Sequence, residues 1–436
     1  MGVQDLFITP IYLFLFVLGA YLIRPHVTRP ETRKYFIPAL LARFAGAIAL
    51  GLIYQFYYDG GDTFNYFTHG SRWIWEAFMD DFATGFKLLM ESGGSVRSGD
   101  TFEFSQHIWY YRDPNSFVVV RIAALIDLLT FHTYTATALF FACFSFSGLW
   151  AFYSVVVSKY SGNYFWFAIA ILFVPSTVFW GSGILKDTMT LGALGWLTFG
   201  VIRAIDFHNR NLTNWLIILF SAYLIYSIKS YIIICYVPMI FIWLYWKYQS
   251  RIRSTALKIL VAPMLLALFL LAGYFTLDQV SSYSQKYALD TIADRAAMTA
   301  YDIRYGWGAR TGGEGGYDIG LPDGTWGSMV GLMPRAINVS LFRPYLWEVR
   351  NPLMLLSAIE SLTLLILTIY ALVVKKGFRR IFQDPFLVFC LAFGLVFAFA
   401  VGLSTANFGT LMRYKIPMMG FYMLVLISGG LDKKDG

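Results

Sequence analysis

Two short stretches of this chain gather side chains able to move protons or hold phosphate. The first is Tyr58-Asp59-Gly60-Gly61-Asp62-Thr63-Phe64-Asn65-Tyr66, followed by the amphipathic, Trp-rich Trp73-Ile74-Trp75-Glu76-Ala77-Phe78. At about 100° per residue, Asp62, Tyr66 and His69 share one helical face. A carboxylate beside an aromatic ring at the edge of an apolar slab is suited to act as general base towards a hydroxyl. The plain structural alternative makes Asp62 the N-cap of an interface helix and Asp59-Gly60-Gly61 its turn. The second stretch is Phe179-Trp180-Gly181-Ser182-Gly183-Ile184-Leu185-Lys186-Asp187-Thr188. Here Lys186 is placed to meet a lipid-linked phosphate, with Asp187 orienting it or a metal. The alternative is a helix N-cap by Asp187 and a snorkelling Lys186.

Further cations lie towards the C-terminus. Arg295, Arg304, Arg310, Arg335, Arg343 and Arg350 cluster in one long loop, which leaves through Leu341-Phe342-Arg343-Pro344-Tyr345-Leu346-Trp347-Glu348. Arginine recognises phosphate as a planar fork, whereas singly each of these pairs as readily with Asp294, Asp302, Glu314 or Glu348. The Gly-rich run 311–318 reads as a mobile lid and lacks a Walker lysine pattern. Asn407-Phe408-Gly409-Thr410-Leu411-Met412-Arg413-Tyr414-Lys415-Ile416-Pro417 adds two more cations, as phosphate ligands or as interfacial anchors. The five histidines have no metal-ligand spacing; a divalent cation held by Asp59, Asp62 or Asp187 is the one metal site the sequence offers.

The elements that position these residues must be membrane helices. Hydrophobic residues make up 58% of the 436 positions and charged residues only 14%, against about 25% charged in a soluble domain. The expected fold is an all-α polytopic membrane protein with about eleven spans of roughly 20 residues. They lie near 7–23, 36–57, 134–157, 163–183, 188–206, 212–229, 231–248, 259–277, 352–374, 385–404 and 414–430. The first is read as a retained span, because no basic stretch precedes it and no small-residue cleavage site follows it. The whole chain, 1–436, forms a single transmembrane domain with no separate soluble part. Short basic loops at 24–34, 247–258 and 375–380, with Lys433 and Lys434, place those segments in the cytoplasm by the positive-inside rule. The N-terminus is then outside, the C-terminus inside, and two long outer loops with interfacial helices span 58–133 and 278–351. Within the first, 116–131 carries Arg121 and Asp127 and is expected to lie in the interface, since a charge at the bilayer centre costs roughly 2.5–3.5 kcal/mol. The net charge of +8 suggests cytoplasmic anchoring and then an anionic ligand, with no nucleic acid implied. Cys143, Cys235 and Cys390 lie in apolar runs and read as core residues.

An Asp just past an early span, with a Tyr four residues later, at the head of an outer loop of interface helices, resembles the GT-C superfamily of membrane glycosyltransferases. That superfamily includes protein mannosyltransferases and aminoarabinose transferases. The resemblance also covers the Lys186-Asp187 turn and the Arg413-Tyr414 pair before a last helix, about a quarter of the chain. It implies a GT-C-like fold and an acidic catalytic residue at Asp62. The family's usual pattern has two adjacent acids, whereas Thr63 follows Asp62 here; either Asp59 supplies the second carboxylate or one suffices. It further implies inverting transfer of a sugar from a polyprenyl-phosphate donor to an acceptor on the outer face. Tyr66, Lys186, Asp187, Arg343, Arg413 and Lys415 would serve the donor and its phosphate. The implied setting is a bacterial inner membrane, alongside other cell-envelope biosynthesis proteins. The Ser182-Gly183-Ile184-Leu185-Lys186-Asp187 stretch is also similar to bacterial polysaccharide polymerases, which join lipid-linked repeats. A lipid or ion transporter is the alternative from another class; its charges would sit near the midplane on broken helices.

Overall fold

The computed structural model describes residues 2–93, 99–249, 316–320, 331–374, 378–405 and 407–430. The expected span at 259–277 and most of the second long loop, with Arg295, Arg304, Arg310 and residues 311–315, lie outside them. The described residues are helical, and the one β-bridge among them joins Gly316 to Asn407. Among the described residues seven helices are long and apolar enough to cross a membrane. This is an all-α, multi-pass membrane chain, which forms two compact units, Met1–Lys229 and Ser230–Gly436.

In the first unit, α1 (Val3–Val27) and α2 (Arg33–Phe56) run as expected spans. The first outer loop then folds as α3 (Asp62–Tyr66), a π-helical turn (Phe67–Ser71), α4 (Arg72–Asp80), α5 (Phe82–Met90), α6 (Phe102–Ser105) and α7 (Pro114–Thr130). Two spans follow, α8 (Tyr134–Lys159) and, after the short helices α9 (Tyr164–Leu172) and α10 (Pro175–Trp180), α11 (Lys186–Ile205). The expected span 163–183 is therefore a broken one. Phe173 and Val174 interrupt it, because Pro175 cannot donate to the preceding turn and takes the first position of a new helix.

α8 and α11 pack most closely, through Gly148 on one and Gly192 and Gly195 on the other. A side-chain carbon at Gly195 would collide with the backbone of Gly148. Small residues of this kind let membrane helices approach until dispersion contacts, and not water exclusion, hold them. α2 meets α10 in the same way, where Gly46 lies against the carbonyl of Val178.

The charge-bearing segment 116–131 forms α7, whose two charges are met by partners from the first loop and from α8. Arg121 donates to the carbonyls of Leu89 and Glu91, 3.4 and 3.2 Å away. Asp127 is fully buried and takes hydrogen bonds from Ser71, Thr137 and His132. α7 packs on α4 and on the π-helical turn.

The sequence separates 212–229 from 231–248, and the structure agrees: α12 (Leu212–Tyr248), 37 residues, is two helices meeting at a kink where Lys229 is non-helical (φ −145°, ψ 75°). An unbroken helix of that length would reach about 55 Å, well beyond a hydrocarbon core of about 30 Å. The break divides it into two halves of span length, and Lys229 ends the first unit.

The second unit holds the rest of α12, α13 (Met333–Phe342), α14 (Pro352–Ile369) with a π-helical continuation to Val374, α15 (Phe378–Gln383), α16 (Pro385–Ser404), α17 (Phe408–Tyr414) and α18 (Ile416–Gly430). α16 packs between α13 and α18. Its Phe389 and Phe393 form an aromatic core with Tyr236, Trp243 and Phe421. Cys235 and Cys390 are buried and Cys143 is half-buried, all three as free thiols.

Candidate functional site

Asp62 opens α3 as its first residue. The N-cap is Gly61, at φ 122°, and it makes no side-chain cap. Gly60 and Gly61 both take positive φ, and a Cβ on Gly61 would press on the ring of Tyr54, so this turn requires glycine. Asp62 is thus not the N-cap that the plain reading made it. Its Oδ1 accepts a hydrogen bond from the Tyr110 hydroxyl at 3.1 Å. Tyr66, on the same face, lies 4.8 Å from the Tyr110 ring, and Asn65 donates to the same hydroxyl. The π-helical turn brings His69 flat against Trp109 at 3.9 Å. Burial, aided by the charge of Arg72, holds the His69 imidazole below its usual pKa. The face formed by Asp62, Tyr66 and His69 is therefore real, and residues 109–110 cover it. Asp59 stands exposed in the turn at φ 52°.

Asp187 is likewise not a cap. α11 begins at Lys186, its N-cap is Leu185, and Asp187 is the second helical residue. Its carboxylate is only 1% exposed and pairs with Lys229 at 2.5 Å. Lys186 turns the other way, to Asp113 at 3.2 Å, and keeps 17% of its side chain exposed. Asp113 caps α7 through the Asn115 N–H and accepts from the Ser116 hydroxyl. An anion that drew Lys186 away would leave Asp113 still hydrogen-bonded.

The turn Tyr110–Asp113, closed by the Asp113 N–H on the Tyr110 carbonyl, therefore holds Asp62 at one end and Lys186 at the other. Sequence reasoning missed Tyr110, Asp113 and Lys229. Asp113-Pro114 is an N-cap followed by Pro at the first helical position, a legible helix start. Lys229 was legible as an ionisable residue inside an apolar run.

In the second unit, Arg343 grips both carboxylate oxygens of Glu348, with Nε at 3.0 and 3.1 Å. Its guanidinium lies 5.4 to 5.9 Å from the rings of Phe408, Tyr317 and Tyr345, within cation–π range. Ser361 donates to the Arg343 carbonyl and accepts from Lys415 at 3.4 Å. Lys415 is fully buried, so it is not a snorkelling anchor, and Glu360 is buried in α14. Arg413 is half-buried in α17. The structure thus brings Asp62, Tyr66, Lys186 and Asp187 together in one unit, and Arg343, Arg413 and Lys415 in the other.

Burial works against ionising Glu348, but the hydrogen bonds from Arg343 and the Tyr345 N–H, with the arginine's charge, outweigh it and lower its pKa. A depressed folded-state pKa stabilises the fold above the unfolded value of about 4.3, and that stability is lost as pH falls through the folded value. Glu348→Gln should therefore flatten the acid side of the thermal-stability profile in detergent, with the largest loss of stability near neutral pH. An unchanged profile between pH 7 and pH 3 would show that the pair contributes nothing.

Among the described residues no group of three or more His, Cys, Asp or Glu is assembled as a metal site. Asp187, one of the three carboxylates the sequence offered for a divalent cation, is occupied by Lys229. No family model, curated protein or solved structure matches this chain.

Proposed function

We propose that this chain is an integral membrane glycosyltransferase. It moves a sugar from a polyprenyl-phosphate donor to an acceptor hydroxyl on the outer face of a bacterial inner membrane, on a GT-C-like helical scaffold. The observation that supports it is the Tyr110–Asp113 turn, which fixes a carboxylate and a partly exposed cation on one support. Asp62 takes the proton of the acceptor hydroxyl while that oxygen attacks the anomeric carbon. The bond from that carbon to the phosphate oxygen breaks, its electron pair staying on the phosphate. Lys186 answers the charge that gathers there, where a preorganised cation is worth most. One displacement inverts the anomeric centre. Arg343 and Arg413 remain proposed contacts for lipid phosphate on their own unit, whereas Lys415 is buried against Ser361.

The test is to delete the gene and profile lipid-linked sugars and envelope glycans. Accumulated polyprenyl-phosphate sugar with loss of one glycan modification is the expected result; an unchanged profile of both would remove the proposal. Accumulated lipid-linked oligosaccharide repeats would instead favour a polysaccharide polymerase. The specific observation behind that second reading is Lys229, which with Lys186 gives the Lys186-Asp187 turn two cations.

The proposed orientation puts both long loops outside. In a background lacking Cys143, Cys235 and Cys390, Met90→Cys should react with an impermeant maleimide on intact cells. Arg380→Cys should react only after permeabilisation. The reverse order would invert the topology and move the Asp62 face to the cytoplasm.

A further inference from the structure

A second cluster in the first unit takes no part in the proposed transfer. Asp127 is fully buried at the end of α7, and its carboxylate accepts from the Ser71 hydroxyl at 2.6 Å, the Thr137 hydroxyl at 2.6 Å and the His132 Nδ1 at 2.9 Å. Thr130 supports Thr137 from behind at 2.7 Å. Of the two neutral tautomers, the contact with Asp127 favours the one with its proton on Nδ1, which leaves the Nε2 lone pair for a ligand. The backbone is bent to present this ring. Phe131 and His132 follow α7 at φ 52° and 50°, in the left-handed region that is uncommon for a side chain such as Phe. Phe67 lies parallel to the imidazole at 3.9 Å and fixes its plane.

His132 opens into a cavity of about 260 Å³ whose other walls are Phe67, Tyr134 and the first turn of α1 through Asp5. Among the described residues the lining carries a carboxylate at Asp5 and no Lys or Arg. Asp5 receives the Thr135 N–H at 2.8 Å and the Gly2 N–H at 2.7 Å, which hold it in place and answer the positive end of the helix dipole. Each oxygen retains a lone pair for a ligand. The cavity therefore offers two acceptors, Asp5 and the His132 Nε2, between aromatic walls. Such a lining selects a cation that also donates hydrogen bonds.

The position of the cavity narrows the source. α1 is an apolar helix of 25 residues only 11% buried, and Val3, Leu6 and Phe7 beside the cavity are 73%, 73% and 70% exposed. Its first turn thus lies where a span ends, at headgroup level. We propose that the Asp5–His132 cavity binds the primary ammonium headgroup of a bilayer phospholipid. The ammonium carries its charge to Asp5 and donates one N–H to the His132 Nε2. A quaternary ammonium has charge but no N–H to give, so this site discriminates between the two. The proposal does not depend on glycosyl transfer.

The experiment compares the purified protein in nanodiscs of phosphatidylethanolamine with phosphatidylglycerol and in nanodiscs of phosphatidylcholine with phosphatidylglycerol. Lipid retention is read by native mass spectrometry after transfer to detergent. Wild type should retain phosphatidylethanolamine at least tenfold over phosphatidylcholine; Asp5→Asn and His132→Gln should each abolish that preference. If His132→Gln fails to fold, Asp5→Asn and the wild-type comparison still decide. Equal retention of the two lipids by wild type, or an undiminished preference in Asp5→Asn, would overturn the proposal. Free ethanolamine should displace the lipid only at millimolar concentration, because the lipid is presented within the bilayer. Tight binding of free ethanolamine with no lipid preference would assign the cavity to a soluble amine and overturn the lipid source.

Discussion

Asp62→Asn should leave the protein folded and monodisperse while turnover falls by roughly 10²- to 10⁴-fold, the contribution of a general base. Asn keeps the volume of the side chain and can still accept the Tyr110 hydroxyl hydrogen bond through its amide oxygen. What it loses is the ability to take a proton. The structure sharpens this comparison, because Asp62 is the first residue of α3 and the N-cap position belongs to Gly61. Lys186→Met should weaken donor binding as well as turnover, since phosphate is anionic before the transition state and within it. A purified Asp62→Asn enzyme of near-normal rate beside an inactive Lys186→Met would shift the reading to the polymerase.

Removal of one partner from the Lys229–Asp187 pair should produce the largest loss of stability. Both side chains are nearly inaccessible, at 7% and 1%, and an uncompensated charge in such a site costs about 3–5 kcal/mol. Lys229→Met alone should sharply lower the thermal midpoint in detergent. Adding Asp187→Leu should recover much of the loss, because a buried pair replaced by apolar groups is often neutral. Transfer activity separates structure from chemistry here. A stable double variant that remains inactive assigns the pair a part in holding Lys186, its neighbour on α11. A stable and active one makes the pair purely structural.

Much of the helical framework was legible in the sequence. α1, α2, α8, α11 and α16 are long apolar runs with basic or capping residues at their ends, and composition alone defines them. One break was harder to read. Residues 163–183 look like one span because hydropathy averages over Pro175, whereas the break between 212–229 and 231–248 shows in the sequence as the polar residues Ser227, Lys229 and Ser230. Within the site, the shared face of Asp62, Tyr66 and His69 followed from periodicity, although a π-helical turn lies within it. The partners did not follow. Tyr110 and Asp113 are some 50 residues from Asp62 and about 75 from Lys186, and periodicity carries no information about contacts at that range. The pairing of Asp187 with Lys229 was hidden for the same reason, so a residue that looked free to orient a ligand is already neutralised.

Arg43 is buried midway along α2, and its guanidinium donates to the carbonyls of Thr177 and Gly181 at the C-terminal end of α10, just before the Lys186 turn. The depth of that turn is thereby measured against α2, the same helix whose end delivers Asp62. Bilayers differ in thickness, and a lipid-facing helix such as α1 follows them by tilting. Arg43 ties α10 and α2 to a common ruler, so the vertical offset between the carboxylate and the lysine is a property of the protein and not of the membrane around it.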